Sequence, residues 1–164
     1  RIFYTYTAIP QSIGADSIPY ITIMQVNKVL TKEPVFVEDN DAKDYGTDPI
    51  EISGQSISKA HLNLRYTFLN GGNHLIPHSI SLLIAKDAQP DARGYLSAEL
   101  RHDAADDLQL NANSGYVSFT LENMPGFKEG TLKGFKIKTK TIKNETDIVE
   151  VTMNNNRKSM NFNI

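Results

Sequence analysis

Four aspartates in the acidic stretch VEDNDAKDYGTDPIE are the residues of this sequence best suited to bind a metal ion. Calcium takes about six to eight oxygen ligands, and one loop can supply several carboxylates. The spacing departs from an EF-hand loop. If Asp39 is taken as the first ligand, Lys43 falls at a ligand position and Asp44 at the position of the turn glycine. The stretch therefore fits either a calcium site or a solvated acidic loop. The candidate ligands are Asp39, Asp41, Asp44 and Asp48.

A row of lysines in FKEGTLKGFKIKTKTIK is the second candidate site. Alternate residues of a strand share one face at intervals of about 6.7 Å, so a strand here presents a comb of three ammonium groups, Lys136, Lys138 and Lys140. The comb suits an anionic polymer or an acidic partner. The alternative is that these lysines protect a sheet edge from unwanted pairing. Self-association that sets the comb against the acidic stretch of a neighbour is a further hypothesis.

Two tyrosines are candidate binding residues for a glycan, because tyrosine combines an apolar face with a polar tip. Among seven tyrosines, these two lie in loop-like stretches: Tyr45 in the acidic stretch and Tyr95 just after Arg93-Gly94. The alternative interpretation is that the tyrosines fill the core.

The four histidines raise the question of a metal or acid-base site. His74 and His78 have the spacing of helical ligands, but Pro77 between them disfavours a helix. On a strand they would lie about 13 Å apart, too far for one metal. We therefore interpret them as turn and surface histidines. The sequence has no serine in a nucleophile elbow and no glycine-rich phosphate loop, so we predict that the protein is not an enzyme.

The elements that position these residues follow from period-two alternation, which predicts half-buried strands. In AHLNLRYTFL and YVSFTLE, the residues expected to face inward are Leu62, Leu64, Phe68, Val117, Phe119 and Leu121. About nine or ten short strands at this spacing predict an all-β fold, an antiparallel β-sandwich. Leucine or alanine recurs at every fourth residue from Leu96 to Leu108, so residues 96–108 are the candidate for one short helix.

Composition limits the remaining choices. The length of 164 residues fits a single sandwich domain over residues 1–164. The absence of cysteine excludes disulfides and thiolate zinc sites. No apolar run reaches the ~20 residues that span a bilayer, and a net charge of −2 argues against nucleic acid as the partner. Apart from calcium, we predict no cofactor.

The first residues, RIFYTYTAIP, alternate bulky and small side chains and predict a terminal strand. Such a strand either completes its own sheet or adds to the sheet of a neighbour, and we expect pairing within the chain. Pilus subunits assembled by chaperones use N-terminal strands in the second way, and the chain is similar to them in size and β content.

These observations predict a non-enzymatic domain that is extracellular or at the cell surface and acts by binding or assembly, as an adhesin or a fimbria-like subunit. A carbohydrate-binding, lectin-like module is the first alternative. A viral or phage structural protein is the second. The partners expected are other protein subunits, a host or cell-surface ligand, a glycan, or a second copy bound through the N-terminal strand.

Overall fold

The computed structural model describes residues 2–8, 21–38, 42, 45–72 and 75–153. Within these ranges eleven strands form and no α-helix. The strands are β1 (Ile2–Ala8), β2 (Ile21–Lys28), β3 (Leu30–Lys32), β4 (Val35–Val37), β5 (Ile50–Ser58), β6 (His61–Asn70), β7 (Ser79–Ala85), β8 (Tyr95–Asp103), β9 (Asn111–Thr120), β10 (Gly134–Lys140) and β11 (Thr146–Thr152).

The chain divides into two compact units, residues 1–30 and 31–164. In the first unit, β1 pairs with β2 in an antiparallel two-stranded sheet. The register shifts between Thr5 and Tyr6, which marks an irregularity such as a β-bulge. The expected pairing of residues 2–8 within the chain is therefore confirmed. That residues 1–164 form one sandwich domain stays a prediction.

The other strands form two sheets that pack as a sandwich, so the all-β prediction is confirmed. One sheet has the order β11-β10-β8-β7-β4, and the other has the order β3-β9-β6-β5. The sandwich is not purely antiparallel, because β10 pairs with β8, and β4 with β7, in parallel. In both cases the intervening strands lie in the opposite sheet. The chain therefore crosses to the opposite sheet and comes back before it forms the second strand of each parallel pair. This is the crossover connection that parallel pairing requires.

The core lies between the two sheets and follows the alternation of the sequence. Five of the predicted inward residues, Leu62, Leu64, Val117, Phe119 and Leu121, are at most 1% exposed. Phe68 is only partly buried, and its ring packs edge-on against the imidazoles of His78 and His102. Burying each large apolar side chain contributes about 1.5–3 kcal/mol.

The helix considered for residues 96–108 is wrong, since Tyr95–Asp103 form strand β8. The buried residues of this strand alternate: Leu96, Ala98, Leu100 and His102 face the core. Residues four apart share a face in a strand as well as in a helix, so the fourfold recurrence fits both periods. Leu108, the last residue of this fourfold recurrence, is 64% exposed.

Candidate functional site

The lysine comb lies on the outward face of the five-stranded sheet. Phe135, Ile137 and Thr139 of β10 are buried between the sheets, and the intervening lysines point the other way, as predicted. Protection of a sheet edge is the wrong explanation, because β10 lies between β11 and β8. The comb is therefore part of a continuous sheet surface.

A groove of about 460 Å³ crosses this outward face beside the comb. Its apolar part includes Leu83 of β7, which is 3% exposed, and Ile148 of β11, which is 61% exposed. A second groove of about 280 Å³ shares three lining residues with the first and extends it towards Thr47 and Lys140. The shared residues are Glu99, Arg101 and Lys138.

One carboxylate is shared by two cations at the junction of these grooves. Glu99 Oε1 lies 3.2 Å from Arg101 Nε and 3.4 Å from Lys138 Nζ. The Lys138 side chain remains 53% exposed. Because Glu99 balances only one of the two positive charges, the junction carries an excess of positive charge.

The end of the acidic stretch lies against the comb through its backbone. Arg101 Nη1 donates to the carbonyl oxygen of Gly46 at 3.2 Å, and Lys140 Nζ donates to the carbonyl oxygen of Thr47 at 3.1 Å. Gly46 has a φ of 73°, and a Cβ there would clash with the backbone of Asp103. Glycine at position 46 therefore allows this loop to approach β8 closely.

The third lysine of the comb, Lys136, is paired at the far end of β10. Its Nζ lies 2.6 Å from Asp91 Oδ2. Asp91 also accepts the backbone amides of Arg93 and Tyr95 through Oδ1. The hydrogen bond from Lys136, followed by the one from the Tyr95 amide, lowers the pKa of Asp91 to about 2. Asp91 therefore anchors the turn that precedes β8.

The two candidate tyrosines lie near opposite ends of β8. The hydroxyl of Tyr95 is 2.7 Å from Thr152 Oγ1, and the guanidinium carbon of Arg93 lies 4.7 Å from its ring centroid. Tyr45 is half-buried in the connection from β4 to β5, next to the Gly46 carbonyl that Arg101 contacts. Glycan binding by either tyrosine stays a prediction.

Of the four candidate calcium ligands, only Asp48 lies within the described residues. Its Oδ2 accepts the Ala104 amide at 2.8 Å, and its Oδ1 accepts Gln109 Nε2 at 2.9 Å. Both oxygens thus join the β4–β5 connection to the segment after β8. Asp39, Asp41 and Asp44 lie outside the described residues. Within the described ranges, no group of three or more His, Cys, Asp or Glu side chains could hold a metal ion. The two interpretations of the acidic stretch, a calcium site and a solvated loop, both stay predictions.

A buried pair of histidines was missed by the sequence interpretation. His78 Nδ1 lies 2.9 Å from His102 Nε2, and His78 Nε2 lies 3.1 Å from Asp107 Oδ2. His102 Nδ1 lies 3.0 Å from the Pro49 carbonyl oxygen. The surface interpretation of His78 is wrong, because its side chain is only 11% exposed.

The pKa values of the two ends of this cluster are lowered by different causes. Burial is the largest cause that lowers the pKa of His102, and the nearby His78 lowers it further. The Gly71 amide is the largest cause that lowers the pKa of Asp107, and His78 adds to this effect. His102 therefore favours its neutral form and Asp107 its carboxylate.

The fold agrees with a known family. A family model described as "NigD-like C-terminal beta sandwich domain" matches residues 33–153. The chain belongs to this family. Among proteins of curated function, none matches the sequence.

Solved structures share the fold of this NigD-like chain. A protein of unknown function from Bacteroides vulgatus is 20% identical with a TM-score of 0.74, covering 99% of this chain and 75% of that one. A candidate toxin-related protein from Parabacteroides distasonis is 25% identical with a TM-score of 0.66, covering 91% and 71%. A NigD-like immunity protein from Bacteroides caccae is 16% identical with a TM-score of 0.65, covering 91% and 70%.

These similarities support a NigD-like β-sandwich and give no support to adhesion, a fimbrial role or carbohydrate binding. As for the membrane, the part of the chain that the structure describes contains no helix long and apolar enough to cross it.

Proposed function

We propose that this NigD-like domain is a non-enzymatic protein that acts by binding a protein partner at the grooves on its outward face. One observation carries the proposal: Ile148, an exposed apolar side chain, is the cross-strand neighbour of Lys138 in a groove with excess positive charge. An exposed isoleucine beside an exposed cation is suited to a partner that supplies both an apolar contact and a carboxylate.

The charges define the polar half of the partner. The two grooves are lined by four cations, Lys136, Lys138, Lys140 and Arg101, and by two carboxylates, Glu99 and Asp48. Asp48 is already bonded to Ala104 and Gln109, so Glu99 is the main internal competitor for Arg101 and Lys138. Solvent-exposed ion pairs contribute only about 0–1 kcal/mol. A carboxylate of the partner could therefore replace Glu99 at Lys138 at small cost.

The groove walls define the apolar half. Leu83, Val37 and Ile148 come from three strands, and the floor at Leu83 is already buried by its neighbours. Covering Ile148 removes the most exposed of these apolar side chains from water, which stabilises a complex by about 25 cal/mol per Å² of apolar surface. The proposed partner surface is thus an acidic segment that carries an aliphatic side chain.

The class of partner comes from the relatives. One similar structure is described as a NigD-like immunity protein and another as a candidate toxin-related protein. We propose that this domain likewise binds a protein toxin and blocks it, a task in which very tight complexes are known. A location outside the cell or at its surface, where a secreted toxin is met, is part of this proposal.

The binding mode can be tested with a peptide of alternating glutamate and leucine as the probe. The expected result is a set of amide shift changes in NMR spectra centred on Lys138 and Ile148, with none for a matched lysine-leucine peptide. Shift changes confined to other surfaces, or equal responses to both peptides, would contradict the proposed site.

A further inference from the structure

Four segments of the sandwich meet at the buried pair of His78 and His102. Pro49 belongs to the connection into β5, His78 precedes β7, His102 lies near the end of β8, and Asp107 belongs to the connection into β9. The chain of three contacts runs from the Pro49 carbonyl through both imidazoles to the Asp107 carboxylate. The positions of the protons in this chain follow from what each group can donate.

Three hydrogen bonds require three protons on the two rings. A carbonyl only accepts, so His102 Nδ1 must donate to Pro49. An ionised carboxylate only accepts, so His78 Nε2 must donate to Asp107. The contact between the rings needs a proton on one of its two nitrogens. Two neutral imidazoles carry two ring protons in all, so this pair holds one more.

Asp107 is held as the carboxylate by two backbone amides. Gly71 N donates to its Oδ2 at 2.8 Å, and Leu108 N donates to its Oδ1 at 2.9 Å. A Cβ at position 71 would lie 2.6 Å from Asp107 Oδ1, so only glycine allows this approach without a shift. The Gly71 amide, together with His78 and the Leu108 amide, lowers the pKa of Asp107, so the third proton belongs on the imidazoles and not on Asp107.

The surroundings distinguish the two rings. Burial lowers the pKa of His102 more than the Pro49 carbonyl, Asp48 and Asp103 raise it, so His102 is the neutral ring of the pair. The stretches 45–49, 70–79 and 102–111 contain no lysine or arginine. The cations that reach the region from the sheet, Arg101 and Lys140, bond to the carbonyls of Gly46 and Thr47 instead. The ring of Phe68 packs edge-on against both imidazoles, at centroid distances of 5.2 and 5.5 Å.

We infer that the His78–His102 pair is a buried proton-binding site, in which His78 is the imidazolium paired with Asp107 and His102 is the neutral Nδ1–H tautomer. Loss of the proton leaves two acceptors facing each other in one of the three contacts. The site is therefore a pH-sensitive latch on the four segments that it joins. This inference goes beyond the proposed partner binding and does not depend on it.

The latch acts between His78 and His102. Loss of the proton sets two acceptors, His78 Nδ1 and His102 Nε2, against each other, whereas His102 Nδ1 still donates to the Pro49 carbonyl. We therefore expect a rise in pH to loosen the segment that precedes β7 and carries His78 before the sandwich unfolds.

The sign of the pH effect follows from linkage. Histidines of an unfolded chain lose their charge at about pH 6.5. At any pH where the folded pair holds a proton that the unfolded histidines have lost, the folded state binds more protons than the unfolded state, so stability falls as pH rises. The unfolding equilibrium constant should increase up to about tenfold per pH unit until the folded pair also loses its proton.

The direct test is ¹⁵N NMR of the ring nitrogens of the intact chain at about pH 7, after assignment of all four histidines. The expected spectrum has protonated shifts for both nitrogens of His78 and for Nδ1 of His102, and an unprotonated shift for His102 Nε2. A spectrum in which His78 and His102 each have only one protonated nitrogen throughout the range from about pH 5.5 to 8 would overturn the inference.

Asp107→Asn is the informative variant, because the asparagine amide can donate to His78 Nε2 and so needs no third ring proton, although the Gly71 amide then loses its acceptor. Unfolding measured between about pH 6 and 9 should lose its one-proton slope in Asp107→Asn and keep it in Asp106→Asn, the exposed neighbour. An unchanged slope in Asp107→Asn would contradict the inference. If this variant does not fold, the spectrum of the unmodified chain decides.

Discussion

Lys138 of β10 and Ile148 of β11 are cross-strand partners on the outward face of the five-stranded sheet. On its other side, Lys138 is the neighbour of Glu99 in the parallel pairing of β10 with β8, and the two side chains form an ion pair. Three adjacent strands thus present a carboxylate, a cation and an exposed apolar side chain in one row. The proposed partner surface is the complement of that row.

Ile148→Asp should abolish the apolar contact of the groove while leaving the fold intact. Because Ile148 is 61% exposed, we expect the free energy of unfolding to change by no more than about 0.5 kcal/mol. The affinity for the glutamate-leucine peptide, measured by calorimetry, should fall at least about tenfold, since the variant loses a contact and adds a like charge. Leu110→Asp is the control, because Leu110 is 70% exposed and lies outside both grooves. Equal losses in the two variants would show that the groove is not the binding site.

Phe119→Ala tests the core that supports the site. Phe119 is fully buried between the sheets, so the substitution should lower the free energy of unfolding by about 3–5 kcal/mol. Phe36→Ala, at a side chain that is 40% exposed, should cost distinctly less. Chemical denaturation measures both. A loss below about 1 kcal/mol for Phe119→Ala would mean that β9 does not face the core as described.

Asp91 makes the turn before β8 sensitive to acid. The fold lowers the pKa of Asp91 to about 2, mainly through the hydrogen bond from Lys136, so its contribution to stability is present above the unfolded value near about pH 3.9. That contribution is lost as pH falls towards the folded value. The difference in stability between the wild type and Asp91→Asn should therefore be largest near about pH 6 and shrink by about pH 2.5. A difference that does not vary with pH would be inconsistent with the ion pair, and Asp87→Asn is the control.

Asp48→Ala separates a structural role from a metal-binding role. Loss of the bonds to Ala104 and Gln109 should destabilise the protein by about 1–2 kcal/mol. Because both carboxylate oxygens are already bonded, millimolar calcium should leave the Tm of the wild type unchanged. A rise of several degrees with calcium, absent in Asp48→Ala, would instead establish the calcium site.

Much of the fold could be predicted from local pattern alone. The buried residues of β6 and β9 alternate as the sequence does, because one face of each strand packs between the sheets. The outward direction of the lysine comb follows from the same rule, applied to Phe135 and Ile137. Local pattern failed at β8, where leucines four apart fit a helix and a strand equally well.

The rest depends on long-range pairing that no local spacing encodes. His78 and His102 are 24 residues apart, and Asp107 meets His78 across 29 residues. The interior position of β10 likewise results from two pairings, with β8 and with β11. One signal was available for the histidine pair: once residues 95–103 are recognised as a strand, His102 falls in phase with Leu96 and Leu100 and is expected to be buried.

Charge reversal at Lys138 tests the proposed function most directly. Calorimetry should show that Lys138→Glu lowers the affinity for the glutamate-leucine peptide at least about tenfold and introduces measurable binding of the lysine-leucine peptide. The reason is that the charge at position 138, in the middle of the row on β8, β10 and β11, changes sign. Lys59→Glu, in the turn between β5 and β6 of the other sheet, makes the same change in net charge and should leave both affinities as they are. If Lys138→Glu binds the acidic peptide as well as the wild type does, or if Lys59→Glu weakens it equally, the outward face of this sheet is not the partner-binding site.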